Sequence, residues 1–231
     1  MSSPTMMPMS LEEIAQAVQG RLIADTAAID TPVATSTFTD SRQIVEGSVF
    51  VAIAGERVDG HDYVSKVGAQ GAVAAIVDHE IDGAGVPQIV VEDTVLALGA
   101  LAKHNIERRR ALETPFTVIG ITGSVGKTTT KDLMKALLAH IGPTIAPVGS
   151  FNNEIGLPLT SLKVHAETRF LVAEMGANHV GEIANLTSLV PPDIAVVLKV
   201  GVAHLGEFGS PERIAQAKSE IIRGLVPGGQ I

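Results

Sequence analysis

Short apolar runs alternate along this chain with stretches whose apolar residues recur every three or four positions. The first such stretch follows Ser10. Leu11, Ile14, Ala15 and Val18 fall on one helical face, Glu13 stands in capping-box spacing to Ser10, and Gly20 ends the helix. Residues 1–9 read as a frayed tail. Apolar runs at 21–24, 48–54, 71–78 and 87–91 read as strands, with turn signals at Gly47, Gly55 and 59–62 and a short helix at 63–69. Asp93 or Thr94 then caps a helix reaching about Ala111, with Leu96, Leu98, Leu101, Ala102 and Ile106 as its apolar positions. Arg108, Arg109 and Arg110 read as its solvated end, where cations meet the helix dipole.

The charged run closing at Pro115 places a domain boundary near Glu113, giving domains 1–113 and 114–231. In the second, strands are predicted at 117–121, 168–174 and 192–200, with a short one within 142–146. Helices are predicted at 127–140, 155–162 and 180–189, and from the Ser210 cap to about Gly224. In the first of these, Leu133, Met134, Leu137 and Leu138 supply the apolar spacing, and Gln230 could begin a further strand. The fold class is therefore α/β. An N-terminal α/β domain precedes a parallel, doubly wound sheet, and such sheets bind ligands at the carboxyl ends of their strands.

Composition narrows the function. Hydrophobic residues make up 45% and charged residues 18% of the 231, so the chain is globular; aromatics are only 3%, so the core is aliphatic. A net charge of −8 argues against a broad nucleic-acid or membrane-surface footprint. With no cysteine there is no disulfide frame, thiol nucleophile or cysteine-based zinc site. The start lacks signal-peptide features and no run approaches a membrane span, so a soluble cytoplasmic protein is expected.

The most informative stretch is 117–131, TVIGITGSVGKTTTK. A β-branched apolar run leads into a glycine-rich turn and then into a helical pattern. This is the context of a phosphate-binding loop. The general pattern asks for a glycine where Ile121 stands; Gly120 lies one place too early, so the loop is a variant. Gly123, Ser124, Val125, Gly126, Lys127, Thr128 and Thr129 are its candidate nucleotide-binding residues. Lys127 would reach terminal phosphate oxygens and Thr128 would ligate Mg²⁺. By the strand-end rule, Glu174 and His204 come to the same edge, a carboxylate and an imidazole beside a triphosphate. Spacing alone makes Lys218 a surface helix lysine.

Four blocks, TGSVGKTTTK, SFNNEIGLPLT, VAEMGANHVGEI and GVAHLGEFGSPERIAQAKSEI, resemble successive blocks of the Mur ligases. The N-terminal Asp40-Ser41-Arg42 and the Asp59-Gly60-His61-Asp62 cluster resemble that family's UDP-binding domain. Phe151-Asn152-Asn153 and the residues after His204 are most similar to the member that joins D-alanyl-D-alanine to UDP-N-acetylmuramoyl-tripeptide. The resemblance implies ATP-dependent amide formation through an acyl phosphate, in peptidoglycan precursor synthesis. It implies that Lys127 contacts phosphates and that Thr128 and Glu174 hold one Mg²⁺. By the same resemblance His204 and Lys218 attend a second metal, Lys218 after carbamylation. Catalytic roles fall to Lys127, His204 and Lys218; Ser41 and Arg42 meet the UDP moiety, and Asn152 and Asn153 line the peptide channel. The family carries a third domain, so this chain alone is expected to be a monomeric fragment with little ligase activity. The ligase that adds the third peptide residue, or a non-catalytic nucleotide-binding module, are the alternatives.

Overall fold

A computed structural model describes residues 6–24, 33–201 and 205–231. The chain divides into two compact units, Met1–Asn105 and Ile106–Ile231. The division falls within a helix, eight residues before Glu113.

In the first unit α1 (Leu11–Ala17) starts at Ser10, whose hydroxyl accepts the Glu13 N–H at 3.1 Å. Strands β1 (Arg21–Ile23), β2 (Ser36–Phe38) and β3 (Ser48–Val51) follow, then α2 (Val64–Ala69), β4 (Ala72–Val77) and β5 (Gln88–Val90). They form one sheet in the order β1-β5-β4-β3-β2, parallel except for β1 against β5. Helix α3 (Thr94–Arg110) begins after Asp93, whose carboxylate accepts the Val95 and Leu96 N–H groups. Residues 6–9 are not frayed. Met6, Met7 and Met9 are buried, and Met6 and Met9 donate backbone hydrogen bonds to Thr35 and Ala34. Flexible thioether side chains suit such gap-filling. Residues 1–5 of the expected tail lie outside the described residues.

The second unit runs β6 (Thr117–Thr122), α4 (Lys127–Leu138), β7 (Thr144–Ile145), α5 (Gly156–Ser161), β8 (Phe170–Glu174), α6 (Glu182–Leu189), β9 (Ile194–Val197), α7 (Leu205–Phe208) and α8 (Pro211–Arg223). Its sheet is parallel throughout, in the order β7-β8-β6-β9. Gln230 makes one parallel bridge to Ile194 beyond β9. Strands β6 and β8 are nearly continuous apolar runs because both faces are covered. Val118, Leu171 and Ala173 pack with Ile183 of α6 and Ile214 and Ile221 of α8. Ile119, Ile121 and Val172 pack with Met134 and Leu138 of α4. Gly120, the glycine out of register with the loop pattern, lies inside β6. A Cβ there would come within 3.2 Å of Ile221 and 3.1 Å of Pro192, so it serves close packing of α8 on the sheet.

Three readings need correction. Arg109 is no solvated helix end. It is buried, and its guanidinium donates to the Thr168, Thr114 and Pro115 carbonyls, lying 4.9 Å from the Phe116 ring centroid. Arg110 pairs with Asp193, whose carboxylate also accepts the Val118 N–H. Leu133 and Leu137 of α4 are exposed, as is Leu96 of α3; the packed stripe of α4 is carried by Met134 and Leu138. Helix α7 escaped the sequence reading because Gly206 and Gly209 mark its stretch as loop.

Candidate active site

The loop after β6 is shaped by two glycines. Gly123 has φ +151°, and a Cβ there would lie 2.8 Å from the Leu198 side chain. Gly126 has φ +87° and is the N-cap of α4, a left-handed conformation costly for any residue with a side chain. Between them Ser124 fastens the loop to the segment after β9. Its N–H donates to Lys199 O, and its Oγ accepts the Gly201 N–H, both at 3.0 Å. Val125 and Gly126 form an exposed crown, as Thr129 is exposed on the first turn of α4. Lys127 folds back so that Nζ donates to Gly123 O at 2.9 Å. The helix N-terminus, the turned N–H groups and this ammonium make an anion-binding end.

Strand register brings the next group alongside. Ile121 of β6 is paired with Glu174 of β8, the last residue of its strand. Glu174 is buried, yet both of its oxygens are engaged. Thr128 Oγ1 donates to Oε2 at 3.1 Å and Asn152 Nδ2 to Oε1 at 2.9 Å. A hydroxyl and a carboxylate, both hard oxygen donors next to an anion-binding loop, fit Mg²⁺. Asn152 is itself held, because its carbonyl accepts the Gly176 N–H at 2.8 Å. Asn153 is exposed, and its Oδ1 accepts the Gly156 N–H at the start of α5. Asn152, Asn153, Gly176 and Asn178 border a cavity of about 490 Å³ whose far wall is the start of α6.

Lys218 is not a surface lysine. It is 2% exposed on α8; Nζ donates to Ala177 O at 3.1 Å and stands 5.4 Å from the Phe208 ring centroid. Burial, helped by the nearby Lys127 charge, lowers its pKa to about 8, against the opposing pull of Glu182 and Glu220. At pH 7 about a tenth of such an amine is neutral, far more than for an ordinary lysine. His204 lies outside the described residues.

Two further residues organise this unit; both lie inside the blocks quoted above, but neither was given a role. Glu220 is buried on α8. Its carboxylate accepts the Gly181 N–H at 2.7 Å and the Ala184 N–H at 3.0 Å, capping α6, which has no side-chain cap of its own. Lys131 is also buried, one turn beyond Lys127 on α4. The signal available for it was the i,i+4 spacing of the two lysines, which puts both on one helix face.

In the first unit, Asp40 caps the 3-10 turn Ser41–Gln43 and accepts bidentate hydrogen bonds from the exposed Arg42. The Arg42 side chain and its backbone N–H hold the Asp40 carboxyl well below the usual carboxylate range. Ser41 is half-buried in the same turn. Among the described residues, His61, Asp78 and His79 form a group with metal-ligand composition. Its geometry has a simpler account. His61 Nε2 accepts the Asp78 N–H at 3.2 Å, so Nδ1 carries the proton and donates to Asp59 at 2.6 Å. Both ring nitrogens are then occupied, and the residue ties the 59–62 turn to the end of β4.

Comparison with known proteins gives a consistent result. Residues 35–106 match the Mur ligase family catalytic domain, and residues 121–231 match the Mur ligase middle domain. The chain is 42% identical to a UDP-N-acetylmuramoyl-tripeptide--D-alanyl-D-alanine ligase of Mycobacterium bovis, over 98% of this chain and 48% of that protein. A crystal structure of MurF from Acinetobacter baumannii superposes with TM-score 0.86 at 40% identity, covering 97% of this chain and 48% of the other. The MurF ligase of Thermotoga maritima in complex with ADP superposes with TM-score 0.72 at 39% identity, over 82% of this chain and 43% of the other. The chain spans about half the length of the curated relatives it matches.

Proposed function

This chain belongs to the Mur ligase family, and on that premise we propose that it serves ATP-dependent joining of D-alanyl-D-alanine to UDP-N-acetylmuramoyl-tripeptide. The observation that carries the reading is the pairing of Thr128 with a buried Glu174 at the mouth of the phosphate loop. In the reaction, the terminal carboxylate of the UDP-linked peptide takes the γ-phosphoryl group of ATP, and ADP leaves. The amine of D-alanyl-D-alanine attacks the resulting acyl phosphate, and the tetrahedral adduct collapses to amide and phosphate. A carboxylate and a triphosphate repel each other, so charge control is the main demand. The loop N–H groups and Lys127 answer it, Lys127 exchanging its bond to Gly123 O for a phosphate oxygen. Thr128 and Glu174 would hold Mg²⁺, which would supply positive charge to offset that of the phosphates. Lys218 is suited to carbamylation, since the neutral amine that reacts with CO₂ is accessible at its lowered pKa. Ser41 and Arg42 are assigned to the UDP end and Asn152 and Asn153 to the peptide. With ATP and a UDP-linked peptide as substrates, the reaction would belong in the cytoplasm.

Binding tests this directly. Calorimetric titration of the 231-residue chain should show Mg·ATP binding that is abolished in Lys127→Ala, with the circular dichroism spectrum unchanged. It should also show tighter binding of UDP-N-acetylmuramoyl-tripeptide than of the dipeptide. Absence of nucleotide binding by the wild type would sink the proposal, and preference for the dipeptide would move it to the ligase of the third residue. For Lys218, ¹³C-bicarbonate near pH 8 should give a carbamate resonance that Lys218→Arg removes.

A further inference from the structure

Lys131 has no part in the function as proposed, yet its surroundings are more tightly specified than those of Lys127. It is 1% exposed, and its ammonium has three acceptors, one for each N–H. These are Pro147 O at 3.0 Å, Gly149 O at 3.0 Å and the exposed Asp132 carboxylate at 2.9 Å. A lysine so saturated has no donor left for a substrate. Its burial also has an energetic cost, which a leucine or methionine packed in the same place would avoid. The compensation lies in what it holds. Residues 147–149 have few other anchors: Val148 is exposed, and Gly149 has φ +65° with nothing within 4 Å of its Cβ position.

Residues 147–149 lead directly to Asn152, and Asn152 donates to Glu174 Oε1. Glu174 Oε2 is held by Thr128, three residues before Lys131 on the same helix. A closed circuit results: from α4 through Thr128 to Glu174, on to Asn152, back along the chain to Gly149, and through Lys131 to α4. We infer that Lys131 is a positioning residue for the Glu174 carboxylate, fixing from the far side, through residues 147–152, the oxygen that Thr128 does not hold. One rigid helix thereby orients both edges of the candidate metal ligand. Outer-shell partners of this kind commonly change metal affinity by about 10–100-fold. The role rests on reading Glu174 as the Mg²⁺ ligand.

Two measurements separate this inference from the reading beneath it. The first needs no nucleotide. In the 231-residue chain, the Asn152 side-chain amide protons should exchange slowly with solvent. In Lys131→Met they should exchange at rates typical of an exposed amide, with the circular dichroism spectrum retained. Lys131→Arg, which keeps charge and donors, should restore part of the protection, whereas a packing role would be met by methionine and not by arginine. The second measures ADP affinity with and without Mg²⁺. Lys131→Met should lose about tenfold or more of the Mg²⁺-dependent enhancement and keep the Mg²⁺-free affinity. Unchanged Asn152 protection in folded Lys131→Met overturns the inference, as does loss of fold in both Lys131→Met and Lys131→Gln, which would make the residue a core element. If wild-type chain shows no Mg²⁺-dependent ADP binding, the metal reading fails and the inference falls with it; the amide exchange then reports only whether Lys131 orders Asn152.

Discussion

The Thr128 hydroxyl donates to Glu174 Oε2 across 3.1 Å, joining the first turn of α4 to the last residue of β8. Neither residue is near the other in sequence; parallel pairing of β6 with β8 brings them together. Glu174→Gln keeps the size of the side chain and removes its charge. The variant is expected to melt within a few degrees of wild type and to lose about 10–100-fold in Mg²⁺-dependent nucleotide affinity. Titration of ADP with and without Mg²⁺ reads this, and an unchanged Mg²⁺ effect would remove Glu174 from the metal site.

Gly176 is a steric test of the same site. A Cβ there would lie 2.8 Å from Asn152 Cγ and 2.9 Å from its Oδ1. Gly176→Ala should therefore displace Asn152 from Glu174, at a cost of about 1–3 kcal/mol. Urea denaturation measures the cost and the Asn152 amide resonances measure the displacement. A variant as stable as wild type, with Asn152 resonances unmoved, would show that the contact yields freely.

Lys218 makes stability depend on pH in a defined direction. Its pKa is about 8 in the folded chain and near 10.5 when unfolded. Between those values the unfolded chain binds more protons, so stability rises with pH. Below about 8 both states carry the charge and the burial penalty is constant; it is relieved as pH rises through 8 towards 10.5. Lys218→Met has no charge to bury. Its stability advantage over wild type should shrink between about pH 8 and pH 10 in parallel urea denaturation series. A gap that stays level across that range contradicts the assignment.

Arg109 anchors the start of the second unit. Its guanidinium donates to three carbonyls in a buried setting, with two separate bonds to Thr168 O. Arg109→Met leaves those acceptors without their donor and should destabilise by on the order of 3 kcal/mol. A loss below about 1 kcal/mol in chemical denaturation would mean that water replaces the side chain.

These residues also mark how far sequence reasoning reaches. The alternation of apolar runs and helical spacing identified β6, β8 and α4, because strands covered on both faces must be continuously apolar. The loop and Glu174 were legible through the strand-end rule, which converts topology into location. Arg109, Lys131 and Glu220 were not, and Lys218 was legible only through the family resemblance. Each is a charged residue on a helix, and sequence pattern assigns such residues to solvent. Their burial is decided by distant backbone groups, at Thr168, Pro147, Ala177 and Gly181, that no local window contains. Leu133 and Leu137 failed in the opposite sense: the helical period was right, but the side of α4 that meets the sheet was set by Met134 and Leu138.

The pairing of Ile121 with Glu174 also constrains how this part of the gene can change. Thr128 and Glu174 are 46 positions apart, and beyond the Lys131–Asn152 circuit the intervening chain is mostly loop or helix whose length does not set the register of either one. Within β8 the tolerance vanishes. A single codon gained between Phe170 and Glu174 would turn each following side chain to the opposite face and exchange the carboxylate for a methyl group. Length variation should therefore collect on the stretch from α5 to β8 and stop abruptly at the strand, a parity rule that a random library of one-codon insertions would expose.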